Sequence, residues 1–330
     1  MTRTAASEAA FARFVAILGR GPGRSRALTR EEAQEAFGLV LTGQADPHQV
    51  GAFLMLLRFR GEDPDEITGM VEATRRIAEL GNAGLDVALD WPSYGAGRTR
   101  GAPWFLLAAL ALARAGISVL MHGSNEFSGG IPVPAGLRAV GLAPSTTMAE
   151  VATALRTARF AYFPLARMAP AIDQLLGLRR LFGLRSPVNT AARLLNPGDA
   201  PAGVDGVFHP PYIAVHLGVA ERMGRPRLLV LKGGGGEAER VPLKPVTAHL
   251  WDAATGRSEV ALPAVPDLEA PTPQADTPDL LAAVWRGDAA PPAAVATVQA
   301  TIALGLLALG RAATGEQADE AARAVWAARL

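Results

Sequence analysis

Apolar residues follow two different periods along this 330-residue chain, and the period changes near residue 84. In the first eighty residues they recur at the three- and four-residue spacing of helices that bury one face. Three helix starts carry a capping side chain, Thr29, Asp46 and Asp63, and a proline follows each of the two aspartates. The pattern therefore predicts an all-helical module over residues 1–83. Its helices are expected at 6–20, 29–42, 47–61 and 64–80.

From Leu85 onwards, short apolar runs alternate with helical patterns. Alternation at this spacing favours a mainly parallel sheet that is covered by helices. The sequence therefore predicts an α/β fold, in which a small helical domain precedes a larger α/β domain over 84–330, and helices from about 166–184 join the first domain. Strands are expected at 87–90, 117–121, 159–163, 206–208 and 227–231. Helices are expected at 103–115, 147–158, 168–177, 187–195, 211–223, 278–286, 292–311 and 315–329.

The composition excludes several classes of protein. The chain has no cysteine, which rules out a disulfide framework, thiolate catalysis and cysteine metal sites. The N-terminus has the pattern of an amphipathic helix rather than a signal peptide. The longest apolar runs, 104–113 and 301–309, are too short to span a bilayer. We therefore expect a cytoplasmic protein without a membrane partner.

Charge is segregated along the chain, although the net charge is only +1. Residues 151–198 contain seven arginines against Asp173 alone, whereas residues 259–288 are acidic. One interpretation is a local basic face that binds phosphate groups, and the other is a set of solvated helices. The candidate phosphate-binding residues are Arg167, Arg179, Arg180 and Arg193.

The segment from Ser93 to Gly130 is expected to hold the functional site. It contains two glycine-bearing loops that follow neighbouring strands, and ligands of open α/β folds bind at the carboxyl ends of such strands. The first loop is interpreted as an anion site or, alternatively, as a plain turn. For His122, ligand contact and structural hydrogen bonding both stay open, and no nearby carboxylate is expected. The candidate ligand residues are Ser93, Gly95, Gly97, Arg98, Arg100, His122, Gly123, Ser124 and Asn125.

A glycine run at 233–236 lacks the pattern of a phosphate-binding P-loop, because no Gly-Lys-Ser/Thr sequence follows it. Glu237 and Glu239 come directly after these glycines. The two carboxylates are candidate ligands for a weakly bound Mg²⁺, or they are simply exposed.

Several motifs, taken together and in order, resemble the superfamily of anthranilate phosphoribosyltransferases and nucleoside phosphorylases. They are HGSN at 122–125, LFGLRSPVNTAARLLNP at 181–197, GVFHPPY at 206–212 and LVLKGGGGEAER at 229–240. The resemblance implies a fold of that type and a homodimer. It also implies that Arg185 corresponds to the substrate-side arginine of the family, so that His122 and Arg185 would be catalytic if the protein is active.

The departures from the family pattern imply a loss of transfer chemistry. The GTGGD loop of the catalytic members is replaced by SYGAGR, with Arg98 in the place of an acid, and the lysine before HG is Met121. The magnesium-binding Asp-Glu pair of the family becomes Ala238-Glu239. The segments DWPSY, PWFLLAA and KGGGGE match the YbiB-type branch of the superfamily, whose members are associated with nucleic-acid binding.

Two hypotheses follow from this resemblance. In the first, the chain is a non-catalytic or divergent homodimer that binds DNA or RNA through arginine-lined grooves, and it requires no cofactor. In the second, it transfers a phosphoribosyl group from phosphoribosyl pyrophosphate to anthranilate or another aromatic amine. Mg²⁺ is expected only in the second case.

Overall fold

The computed structural model describes residues 4–81, 83–95, 99–272 and 275–330. Two of the predicted anion-binding residues, Gly97 and Arg98, lie outside these ranges. The chain begins with four helices: α1 (Ala5–Gly19), α2 (Arg30–Leu41), α3 (Pro47–Arg60) and α4 (Pro64–Ile77).

The predicted caps of α2, α3 and α4 are confirmed. The side chains of Thr29, Asp46 and Asp63 each accept a backbone N–H of the first helical turn. The side chain of the third helical residue accepts a hydrogen bond from the backbone N–H of each capping residue. This second bond completes a capping box. The sequence therefore sets the start of each of these helices locally, before any tertiary contact.

The rest of the chain alternates between strands and helices. These elements are β1 (Leu89–Ser93), α5 (Trp104–Arg114), β2 (Val119–Gly123), α6 (Val133–Ala139), α7 (Met148–Ala158), β3 (Phe160–Pro164), α8 (Leu165–Met168), α9 (Pro170–Gly177), α10 (Arg179–Phe182), α11 (Val188–Arg193), β4 (Ala202–Val207), α12 (Tyr212–Arg222), β5 (Arg227–Lys232), β6 (Val246–Asp252), β7 (Gly256–Leu262), α13 (Pro278–Arg286), α14 (Pro292–Ala308) and α15 (Gly315–Ala327).

The described residues form a seven-stranded sheet in the order β3-β2-β1-β4-β5-β6-β7. The first five strands run parallel, and β6 and β7 are antiparallel additions at one edge. The small helical domain and the mainly parallel sheet are therefore confirmed, whereas the β6–β7 hairpin was not predicted. In the register of β1 and β2, Ser93 pairs with Gly123, so both of the following loops leave the same edge of the sheet.

The core has two layers, one on each face of the sheet. Successive strand residues alternate between them: Met121 packs with α5 and α14 on one face, whereas Leu120 packs on the other face in the cluster that contains Phe37 and Phe53 of the helical module. Residues of α8 and α9 belong to this second cluster as well. The boundary between the two domains at residue 83 stays a prediction.

The longest described helix, α14, has 17 residues and is apolar on nearly every face, because it is buried between the sheet and other helices. Within the described ranges, no helix combines the length and the hydrophobicity that crossing a membrane requires.

We expect Gly69→Ala to destabilise the helical module. A methyl group on Gly69 of α4 would lie 2.7 Å from the Gln34 backbone nitrogen and 2.8 Å from the Ala33 Cβ of α2. Such overpacking costs about 1–3 kcal/mol, which urea denaturation would measure as a lower free energy of unfolding. Gly177→Ala is the matched control, because the added methyl group meets no atom within 4 Å. Equal stability of G69A and the wild type would contradict the tight α2–α4 contact.

Candidate active site

The loops that follow β1 and β2 lie against each other at the carboxyl edge of the sheet. The Ser124 backbone N–H donates to the Ser93 carbonyl at 3.2 Å, and the Ile131 N–H donates to the Gly101 carbonyl at 2.9 Å. Gly123 has no room for a side chain, because a Cβ would collide with the backbone of Ser93. The parallel register therefore brings the two loops together.

His122 lies inside the protein, where its side chain makes contacts of the structural kind that the sequence left open. Its side chain is fully buried, with Nδ1 3.0 Å from the Tyr94 hydroxyl and Nε2 3.3 Å from Asp90 Oδ1. A carboxylate is therefore close after all, because β1 and β2 are neighbours in the sheet. Asp90 also accepts from Arg225 Nη2 at 3.0 Å. Burial opposes ionisation of Asp90, but the charges of His122 and Arg225 outweigh it and lower the pKa of this carboxyl.

The polar residues of the second loop are occupied by the protein itself. Asn125 Nδ2 donates to the Tyr162 hydroxyl at 2.9 Å, and Asn125 Oδ1 accepts from the Val133 N–H at 3.2 Å, at the start of α6. The Ser124 side chain hydrogen-bonds to Asp173 of α9. These contacts give Ser124 and Asn125 structural roles, which the sequence left open.

Glu237 and Glu239 do not form a metal pair. Glu239 Oε2 accepts the Phe105 backbone N–H at 3.0 Å, in the first turn of α5. Glu237 is buried beside Gly95, and its Oε1 lies 3.4 Å from the Ser93 hydroxyl. In the described residues no three acidic or histidine side chains are grouped as metal ligands. The residues present therefore do not fit a preformed Mg²⁺ site.

An arginine-lined crevice lies between the helical module and the loop that follows β4. One wall is the end of α3. The second is the segment 185–193, which ends with α11, and the third is the β4–α12 connection. The lining residues are Arg58, Glu62, Arg185, Ser186, Asn189, Thr190, Arg193, Val207, Phe208, His209, Tyr212 and His216.

Three arginines, Arg58, Arg185 and Arg193, line this crevice together with one carboxylate, that of Glu62. Arg185 is half-buried, with its guanidinium 5.5 Å from the centre of the Phe208 ring. Burial lowers the pKa of Arg185, and the nearby charges of Arg193, Arg179 and Arg58 act in the same direction. A bound anion would relieve this repulsion and form charge-assisted hydrogen bonds.

The buried polar network beneath the arginines centres on Glu62. Its carboxylate accepts from the Tyr212 hydroxyl at 3.0 Å and from the Thr190 hydroxyl, and it lies 3.7 Å from Arg58 Nη1. Arg58 also donates to the Tyr212 hydroxyl. Sequence reasoning missed Arg58, Glu62 and Tyr212, because they come from two distant segments. The signal for Arg58 and Glu62 was the density of charged residues in the RFRGED segment at 58–63, and Tyr212 is the last residue of the motif GVFHPPY.

The four arginines that were predicted to bind nucleic acid do not form one exposed surface. Arg193 is buried, and its Nη2 donates to the Tyr94 carbonyl at 2.6 Å. Arg179 and Arg180 lie 4.7 and 6.0 Å from the centre of the Phe127 ring, and Arg180 also pairs with Glu126. Arg167 is exposed on α8. Arg100 lines a separate cavity beside the glycine run at 233–236.

Known proteins similar to this chain are transferases. A family model, "Glycosyl transferase family, helical bundle domain", matches residues 14–78. The anthranilate phosphoribosyltransferase of Moorella thermoacetica is 30% identical over 299 residues, which cover 88% of this chain and 87% of that enzyme. The enzyme of the same name from Rhizobium johnstonii is 33% identical over 215 residues, 63% of this chain and 61% of that enzyme.

Solved structures agree on the fold. The anthranilate phosphoribosyltransferase of Thermus thermophilus superposes with a TM-score of 0.78 at 25% identity, over 97% of this chain and 95% of that one. The Saccharomyces cerevisiae enzyme, solved in complex with PRPP and Mg, gives a TM-score of 0.77 at 15% identity, over 98% of this chain and 94% of that one. At that identity the likeness to the yeast enzyme concerns the fold alone.

These relatives contradict the first hypothesis, and the expectation of a non-catalytic nucleic-acid-binding protein is wrong. That hypothesis took the replaced loop residues to mean that the family's activity is lost. It also placed Arg193, which is buried, on the surface. The expectation that no cofactor is required is not supported by these comparisons either. The identity to the Moorella enzyme extends through most of both chains, and the fold agrees throughout. The chain belongs to the anthranilate phosphoribosyltransferase family.

Proposed function

We propose that this protein is a phosphoribosyltransferase that transfers a phosphoribosyl group from phosphoribosyl pyrophosphate to anthranilate or a related aromatic amine. The observation that supports this most directly is the arginine-lined crevice at the carboxyl edge of the sheet, in a chain of this family. The yeast relative was solved with PRPP and Mg, and in a second complex with 4-fluoroanthranilate.

The crevice suits the acceptor. Arg185 supplies a planar cation for a carboxylate, and the Phe208 ring beside it offers a surface on which an aromatic ring stacks. Arg185 is also the residue that corresponds to the substrate-side arginine of the family. The acceptor carboxylate therefore binds Arg185, and its amine is held over the buried floor of the crevice.

The donor is expected at the two loops after β1 and β2, next to the crevice. Arg193 connects these regions, because it lines the crevice and donates to the carbonyl of Tyr94 in the first loop. A donor such as PRPP brings a pyrophosphate that binds Mg²⁺ through oxygen atoms. Glu237 and Glu239 do not form a preformed site for this metal, because the side chain of Glu239 accepts the Phe105 N–H and that of Glu237 lies beside Ser93.

The experiment that tests this function separates donor binding from transfer. Calorimetric titration of PRPP, with and without Mg²⁺, measures donor binding. Loss of anthranilate fluorescence after both substrates are added measures transfer. Micromolar PRPP binding with turnover supports the proposal. Absence of both binding and turnover with every aromatic amine tested would overturn it.

Three finer expectations stay predictions. Two leucines in and just after α10, Leu181 and Leu184, are 80% and 56% exposed. Exposed apolar side chains mark interaction surfaces, and these two support the homodimer. Membership of the YbiB-type branch depends on the segments DWPSY, PWFLLAA and KGGGGE alone. The cytoplasmic location depends on the sequence patterns described above.

We expect Arg185→Gln to weaken the binding of anthranilate by about 10- to 100-fold, because a hydrogen bond to a charged group contributes about 1.5–3 kcal/mol. Calorimetry of anthranilate in the presence of donor measures the change. Arg156→Gln is the matched control, since Arg156 is exposed on α7 and bonds only to Thr153 in the described structure. An R185Q variant with unchanged affinity would place the acceptor elsewhere.

We expect Glu62→Gln to gain stability relative to the wild type as the pH rises. Burial raises the pKa of Glu62, and its hydrogen bonds to Thr190 and Tyr212 only partly offset this. A carboxyl whose pKa is raised on folding stabilises the fold while it is protonated and loses that contribution as the pH rises through its folded pKa. Glutamine stays neutral and keeps both bonds, because hydroxyl groups donate and accept.

Urea denaturation of both proteins from about pH 5 to about pH 8 measures the difference in their free energies of unfolding. That difference should move steadily in favour of E62Q with rising pH. If the free energies of unfolding of the two proteins changed in parallel with pH, ionisation of Glu62 would not cost stability in the folded protein.

A further inference from the structure

A buried histidine of the crevice is paired with a buried aspartate. His216 of α12 lines the crevice, and its Nδ1 lies 2.7 Å from Asp205 Oδ2 on β4. Asp205 is fully buried, and His216 is 1% exposed. Burying a carboxylate costs desolvation energy that a single hydrogen bond from a neutral imidazole does not fully recover, so stability alone explains the pair poorly.

The orientation of the ring leaves one nitrogen for a ligand. Because Nδ1 faces the Asp205 carboxylate, it carries the proton in the neutral ring, and Nε2 is the basic nitrogen. Asp205 Oδ1 is buried without a hydrogen-bond partner in the described structure. The carboxylate is thus poised to stabilise a positive charge on the imidazole, as the aspartate of a catalytic triad does.

We propose that His216 accepts the proton that the acceptor amine loses during transfer, an inference that rests on the proposed function. The amine nitrogen forms a bond to the anomeric carbon of the sugar, and the bond from that carbon to the pyrophosphate oxygen breaks. The electron pair of the broken bond leaves with pyrophosphate. One N–H proton of the attacking amine moves to His216 Nε2, and Asp205 stabilises the imidazolium that results.

The charged neighbours of His216 come from several elements. Glu62, in the turn between α3 and α4, is close enough for its charge to interact with His216, and Arg193 of α11 interacts with Asp205. Arg58 and Tyr212 line the same crevice. Glu62 is the competing candidate base, but its carboxylate already accepts from Thr190 and Tyr212, whereas His216 uses Nδ1 alone to bind Asp205.

The test compares the transfer kinetics of the full-length protein and of His216→Asn. The amide of asparagine can still donate to Asp205, but it cannot accept a proton at the Nε2 position. We expect kcat to fall by about 100-fold or more, the range for a lost general base, while anthranilate affinity changes by less than about threefold. The wild-type rate should also fall at low pH, where the imidazole is protonated, and this acid limb should be absent in H216N.

Two further variants keep the result interpretable. Asp205→Asn should also lower kcat, because an amide at this position favours the wrong imidazole tautomer, and it provides a second test if H216N fails to fold. His249→Asn is the matched control: His249 also pairs with a carboxylate, Glu259 at 3.1 Å, but lies on the antiparallel strand β6, away from the crevice. H249N should keep the wild-type rate and pH profile.

The outcomes distinguish the two proposals. A wild-type enzyme that turns over, with H216N and D205N keeping both kcat and the acid limb, would overturn the role of His216 and leave the transferase intact. A wild-type protein that neither binds PRPP nor turns over would overturn the transferase and, with it, the proton acceptor. Loss of kcat with retained affinity and a missing acid limb supports both.

Discussion

The hydrogen bond from Arg193 to the Tyr94 carbonyl holds the candidate site together. It joins α11 to the first loop of the sheet at 2.6 Å, and the guanidinium also lies 5.4 Å from the centre of the Tyr94 ring. The Tyr94 hydroxyl in turn meets His122, which lies beside Asp90. These buried polar contacts fix the position of the first loop relative to the sheet. Their charges are tolerable in the interior only because each has a partner.

The first loop is therefore held by the protein rather than by a ligand. Ser93, His122 and Asn125, which the sequence offered as ligand residues, all bond within the fold. The arginine-lined crevice lies one strand further along the sheet, beside β4, where side chains of the helical module meet the β4–α12 connection. The proposed acceptor site thus has a formed crevice, whereas the proposed donor site includes a loop that departs from the family pattern.

Much of the fold could be predicted from the sequence, because its determinants are local. Capping boxes at Thr29, Asp46 and Asp63 set three helix starts, and alternation of strands and helices set the parallel sheet. The β6–β7 hairpin was missed because its strands are half-exposed and carry no continuous apolar run. The crevice was missed for a different reason. Glu62 and Tyr212 are 150 residues apart, and only the packed fold shows that they touch.

The replaced motif residues and the buried Asp205–His216 pair have different physical meanings. By the resemblance, the replacement of the acid of the GTGGD loop by Arg98, and of the lysine before HG by Met121, concerns the binding of the donor. A histidine and an aspartate buried together need a reason, since an apolar pair of similar volume is often at least as stable. The place of His216 in the lining of a crevice with three arginines supplies one, because the proposed acceptor would bind there.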